Sequence, residues 1–148
     1  MNKTSRIYNI QLQINSQLEH IRLLASALRG IGQELKLTGE QVSQLELILV
    51  EMVTNVIKHA YELQAGHQVN VKVECTPDES IKLTISDRGK SMPDRGQQMF
   101  TSADFDFPEP ELLPESGWGM GLINLLADSF HYERSNDHNY WYVTKRLA

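Results

Sequence analysis

Tyr8, Ile10, Leu12 and Ile14 alternate with polar residues, the period-two signature of a half-buried strand. Ser16-Gln-Leu-Glu19 then has the form of a capping box. Leu18, Ile21, Leu24, Leu28, Ile31 and Leu35 follow at helical spacing, with Gly30 and Gly32 weakening the end of that helix. A second capping box, Thr38-Gly-Glu-Gln41, opens a long helix predicted to run to about Leu63. Val69, Val71, Val73 and Cys75 alternate as a strand. Pro77 to Ser80 makes a turn, and Ile81, Leu83 and Ile85 alternate as the hairpin partner.

The pattern breaks between Arg88 and Ser116, which holds four of the five prolines and several acids. A segment that long without periodicity is a functional loop or a disordered one. Gly117-Trp-Gly-Met-Gly121 comes next, and Leu122, Ile123, Leu125, Leu126 and Phe130 fall on a helix behind it. A terminal hairpin is predicted from Phe130 to Arg134 and from Tyr140 to Leu147, turning at Ser135 to Asn139. Tyr140 and Trp141 alternate in that hairpin and are expected to pack the sheet. The order of elements predicts an α/β (α+β) two-layer sandwich, with helices packed on one face of a mixed, mostly antiparallel sheet.

Composition narrows the class. A chain of 148 residues predicts one domain, 1–148, able to bury a core without metals or disulfides. A net charge of −5 argues against direct nucleic-acid binding. The single cysteine, Cys75, excludes an internal disulfide and reads as a small core residue. The polar N-terminus is unlike a signal peptide, and no apolar run approaches the ~20 residues of a membrane span. A cytoplasmic protein with no membrane association is expected. His20, His67, His131 and His138 lack metal-ligand spacing.

Three features carry chemistry. On the long helix, Leu45, Leu49, Met52, Val53, Val56, Ile57 and Ala60 form an apolar stripe, while Glu51 and Asn55 lie only about 40° apart on the opposite side. Lys58 and Glu62 share that sector and His59 lies at its edge. This is a solvated face, or a carboxylate and an amide presented to a magnesium–phosphate group; Mg²⁺ takes few protein oxygens and fills its shell with water and phosphate. Asp87 is in phase with Ile81, Leu83 and Ile85. It is a turn residue in Asp87-Arg-Gly89, or a buried anchor that needs a donor such as a purine amine. Gly117, Gly119 and Gly121 before a helix make a hinge, a flexible loop or a phosphate cradle.

The order of these pieces resembles the GHKL ATPase superfamily and its Bergerat ATP-binding fold. Glu51 to His59 look like its N box, Asp87-Arg-Gly89 like its G1 box, and Gly117 to Gly121 like its G2 box. Over residues 5–147 the chain is similar to the anti-sigma-factor serine/threonine kinases of bacterial partner-switching systems. The resemblance implies ATP and Mg²⁺ as cofactors. It implies that Asn55 coordinates Mg²⁺, Asp87 accepts from the adenine amine and Gly89 lets the chain pass close to the base. Gly117, Gly119 and Gly121 would hinge a lid of about residues 88–118 and offer N–H groups to phosphate. Glu51 would be the general base, and Thr144 would support the adenine site. A STAS-type anti-sigma-factor antagonist would be the substrate, a sigma factor or other client the second partner, and a homodimer the assembly.

Glu51 separates subfamilies, because a serine hydroxyl benefits from a base that an imidazole acceptor does not need. Ser91 departs from the family pattern, standing where a second G1 glycine is common. That leaves a nucleotide-binding regulatory module without transfer, or a plain ATPase, as alternatives.

Overall fold

The computed structural model describes residues 6–91, 121, 123 and 125–147. Strand β1 (Tyr8–Asn15) leads through a single 3₁₀ turn into helix α1 (Ile21–Glu34), followed by helix α2 (Gly39–Asn55). Strands β2 (Gln68–Thr76) and β3 (Ser80–Asp87) form one hairpin, and β4 (Ser129–Ser135) and β5 (His138–Arg146) form another. The sheet order is β1-β2-β3-β5-β4, and each neighbouring pair is antiparallel. The mixed sheet expected from the sequence is therefore wholly antiparallel among the described strands.

Strict alternation decides which face is covered. Val69, Val71, Val73, Cys75, Ile81, Leu83, Ile85, Trp141 and Val143 are buried, and they meet Leu24 and Leu28 of α1 and Leu45, Ile48, Leu49, Met52 and Val53 of α2. Each such side chain contributes roughly 1.5–3 kcal/mol of burial, enough in sum to fix the helix layer on the sheet. Gly32 sits where a Cβ would come within 2.8 Å of the Val42 side chain, so its lack of a side chain lets α1 and α2 pack closely. The opposite face of the sheet is uncovered among the described residues. Gln11, Gln13, Lys72, Glu74, Lys82, Thr84, Tyr140 and Tyr142 line a shallow trough of about 670 Å³ there.

The two margins of the sheet differ. β1 reads YNIQLQIN and carries no charge, whereas β4 reads SFHYERS and carries Glu133 and Arg134. No helix among the described residues is long and apolar enough to cross a membrane.

The capping box at Thr38 forms as the sequence predicts. The Thr38 N–H donates to Gln41 Oε1 at 2.9 Å, and the Gln41 N–H donates to Thr38 Oγ1 at 3.1 Å. The one expected at Ser16 does not form. Ser16 is buried; its hydroxyl donates to the Gln64 carbonyl at 2.6 Å and accepts from the His67 N–H at 3.1 Å. That serine ties the end of β1 to the loop before β2, because a buried hydroxyl needs partners where it lies.

Candidate functional site

Helix α2 does not end as a plain helix. Beyond Asn55 it widens into one π turn, Val56–Ala60, and leaves through Glu62 and Leu63, both in the left-handed region at φ 52° and 64°. Such turns recur at functional sites. The wider turn also breaks the i, i+4 line that the sequence shows. Glu51 and Asn55 stay half-buried on one side of regular helix, while His59 is exposed. Ile48, which flanks the polar line in sequence, is fully buried. The amide nitrogen of Asn55 is buried and has no hydrogen-bond partner among the described residues.

Asp87 ends β3 on the core side of the sheet, 1% exposed. Its Oδ1 accepts from the Gly89 N–H at 2.8 Å and from Asn139 Nδ2 at 2.8 Å. Its Oδ2 is buried without a partner among the described residues. Burial pushes this carboxyl above its ordinary value, against the lowering effect of the Asn139 and Gly89 hydrogen bonds and of the Arg134 charge. Asp87 is thus an anchor rather than a turn residue.

Two hydrogen bonds tie the loop after Asp87 to the end of the long helix. The Lys90 N–H donates to the Ala60 carbonyl at 2.9 Å. The Arg88 N–H donates to the Tyr61 hydroxyl at 2.8 Å, and that hydroxyl donates to the Gln68 carbonyl at 2.6 Å. Gly89 makes the approach possible, since a Cβ there would stand 2.5 Å from the Ala60 carbonyl oxygen. The family resemblance implies a reason for Gly89 in terms of a bound base; the structure supplies a second, the passage of the loop over the helix end. Lys90 and Glu62 add an exposed ion pair across the same junction, worth under about 1 kcal/mol.

Thr144 does not belong to this site. Asp87 lies opposite Asn139, while Thr144 lies opposite Lys82, five positions along β5. Odd-numbered residues of β5 from Asn139 to Val143 face the core, so Thr144 shares the open face with Tyr140 and Tyr142. The residue that supports Asp87 is Asn139, which the sequence reading places in a turn. The turn is shorter than expected, with Asn136 and Asp137 at φ 53° and 63°, and Asn139 is already strand. The sequence reading likewise assigns Tyr61, Ala60 and Arg134 no part in the site. The signal for Asn139 was available only through register, as the residue facing Asp87 across β3 and β5.

Gly121 is buried and helical, and Ile123, Leu125 and Leu126 are helical in conformation too. Gly117 and Gly119, and nearly all of the lid expected over 88–118, lie outside the described residues.

Two buried polar atoms, Asn55 Nδ2 on the helix and Asp87 Oδ2 on the strand end, have no partner among the described residues. Leaving such an atom unpaired costs about 1–3 kcal/mol. The residues fit a magnesium nucleotide: the Asn55 side chain carries an amide oxygen of the kind a hard cation takes, and Asp87 Oδ2 is an acceptor of the kind an exocyclic amine needs.

Fold and site together define a two-layer α/β sandwich with a buried polar site where the helix end meets the end of β3. Residues 14–145 match the family described as the histidine kinase-like ATPase domain, and the chain belongs to that family. The serine-protein kinase RsbW of Bacillus cereus (strain Q1) is 24% identical over 124 residues, spanning 83% of this chain and 76% of that protein. The RsbW of Bacillus anthracis is similar to the same extent. Among solved structures, the RsbU and RsbW domains of a protein from Mycobacterium tuberculosis superpose with a TM-score of 0.67 at 14% identity, covering 95% of this chain and 32% of that one. The SiaB–SiaC complex from Pseudomonas aeruginosa gives 0.62 at 16% identity, covering 97% and 92%. At these identities the structural likeness is one of fold.

Proposed function

We propose that this chain is an ATP-dependent serine/threonine protein kinase of the anti-sigma-factor type, acting in a partner-switching system. One observation supports the reading: Asp87 Oδ2 and the Asn55 amide nitrogen are buried without a partner among the described residues, on two elements that Ala60, Tyr61, Arg88 and Lys90 bind together. Asp87 Oδ2 takes the adenine amine, and Asn55 holds Mg²⁺ at the phosphates. The bound metal neutralises phosphate charge. Glu51, one helical turn before Asn55, accepts the proton of the attacking hydroxyl. Gly117, Gly119 and Gly121 offer N–H groups to phosphate, and residues of about 88–118 form the lid of a single domain spanning 1–148. The chemistry asked of the protein is positioning and charge compensation, as in other phosphoryl transfer.

Serine as the acceptor is supported by the names of the RsbW relatives. The substrate is a STAS-type anti-sigma-factor antagonist, and a sigma factor or other client is the competing partner. The protein works in the cytoplasm, binds no nucleic acid directly and forms a homodimer through β1 and α1. The test is incubation with γ-labelled ATP and a STAS protein encoded beside this gene. Label on a partner serine or threonine is expected, and its absence under conditions where ATP binds would sink the kinase reading.

Ser91 favours a second reading. It is exposed and stands where a G1 glycine is common. A regulatory module would hold ATP and exchange partners without transferring phosphate, so Glu51→Ala would leave partner exchange unchanged and no phosphorylated product would form with either protein.

A further inference from the structure

Asn139 is 1% exposed and sits in a chain of hydrogen bonds with one consistent polarity. Arg134 Nη1 donates to Asn139 Oδ1 at 2.9 Å, and the Tyr132 hydroxyl donates to the same oxygen. A guanidinium has only donors, so the amide atom facing it must be the oxygen. The amide nitrogen is thereby turned to Asp87 Oδ1 at 2.8 Å and to the Lys90 carbonyl at 2.7 Å, with the Gly89 carbonyl at 3.4 Å. Both closest partners are acceptors, so the far end agrees with the near end. With the Gly89 N–H, Asp87 Oδ1 has two donors, and Oδ2 has none among the described residues.

We propose that Asn139, its amide polarised by Arg134, is a positioning residue for base recognition: it occupies the inner oxygen of Asp87 and presents Oδ2 alone, as a bare acceptor, to a 6-aminopurine. This rests on the nucleotide reading above and extends it to specificity. A 6-oxopurine offers an acceptor at the same place and is rejected as long as Asp87 carries no proton. Once the Asn139 donor is removed, burial favours the neutral acid, whose hydroxyl can donate to a 6-oxo group. Asn139 therefore protects both ATP affinity in acid and discrimination against inosine triphosphate.

The charged and titratable groups around Asp87 are Arg134 of β4, His138 of β5, Arg88 in the following loop and the Tyr61 phenol at the helix end.

The test is equilibrium binding of ATP and of inosine triphosphate, with Mg²⁺, from about pH 5 to about pH 8. The proteins are wild type, Asn139→Leu and Arg134→Met. In Asn139→Leu the acid limb of ATP binding moves up by about one pH unit or more, and the preference for ATP over inosine triphosphate falls by roughly tenfold. Arg134→Met keeps Asn139 but loses its polarising donor; it shifts both readouts in the same direction and by less, and it carries the test if Asn139→Leu fails to fold. Equal loss of ATP affinity at every pH, with the nucleotide preference unchanged, overturns the inference and leaves the nucleotide reading standing. Wild-type protein that binds neither nucleotide overturns the nucleotide reading and this inference with it.

Discussion

The α-carbon of Gly89 lies so close to the carbonyl of Ala60 that any side chain at Gly89 would enter that oxygen's contact shell, at 2.5 Å. The neighbouring Lys90 N–H donates to the same oxygen. The loop after β3 is therefore seated on the end of the long helix by backbone alone. Gly89→Ala forces that seat apart. It should lower stability by about 1–3 kcal/mol, as overpacking does, and weaken ATP binding, read by denaturant midpoint and by nucleotide titration.

Asp87→Asn should separate stability from binding. Burial raises the Asp87 carboxyl, so the native state keeps a proton that the unfolded chain, with its value near 3.9, has already lost. Stability from this group therefore falls as pH rises from the unfolded value through the folded one. The neutral amide lacks that dependence and should be at least as stable as wild type near neutral pH. ATP binding by wild type should weaken as pH falls through the folded value, because the proton removes the acceptor. Asp87→Asn should bind ATP at least roughly tenfold more weakly at every pH, having lost a charged hydrogen-bond partner. Denaturation and ATP titration across pH check both halves.

Asn55→Ala should abolish magnesium-dependent transfer while changing stability by less than about 1 kcal/mol, since the donor it removes has no partner among the described residues. Transfer at the wild-type rate would exclude Asn55 from the metal site.

Glu51→Gln should leave ATP affinity near wild type and slow transfer to a hydroxyl by about 10²–10⁴-fold, the usual worth of a positioned base. Single-turnover transfer measured beside equilibrium binding distinguishes this from a folding defect.

Thr144→Val should leave ATP affinity within about twofold of wild type, as for a substitution outside the site. Thr144 lies opposite Lys82, on the other face of the sheet from Asp87.

What the sequence made visible were features whose signal is local. The alternation of β2 and β3 and the Thr38–Gln41 capping box each repeat at a fixed spacing, and each is realised. Ser16 has the same local form as Thr38, but its burial turns the hydroxyl toward Gln64 and His67. Asn139 was hidden for the opposite reason. It follows Asn136 and Asp137, residues that favour turns, and only the pairing of β3 with β5 reveals that it faces Asp87. The π turn after Asn55 has no compositional mark either, and it explains why His59, in line by arithmetic, lies outside the half-buried pair.

The uncharged margin of the sheet has a consequence for the chain outside its assembly. β1 offers eight residues with no lysine, glutamate or proline to discourage another strand, whereas β4 is guarded by its charges. When the chain is made in excess of whatever covers β1, this segment is the template on which copies would aggregate, and lysine at Gln11, on the open face of the strand, should raise the concentration the protein tolerates before it precipitates.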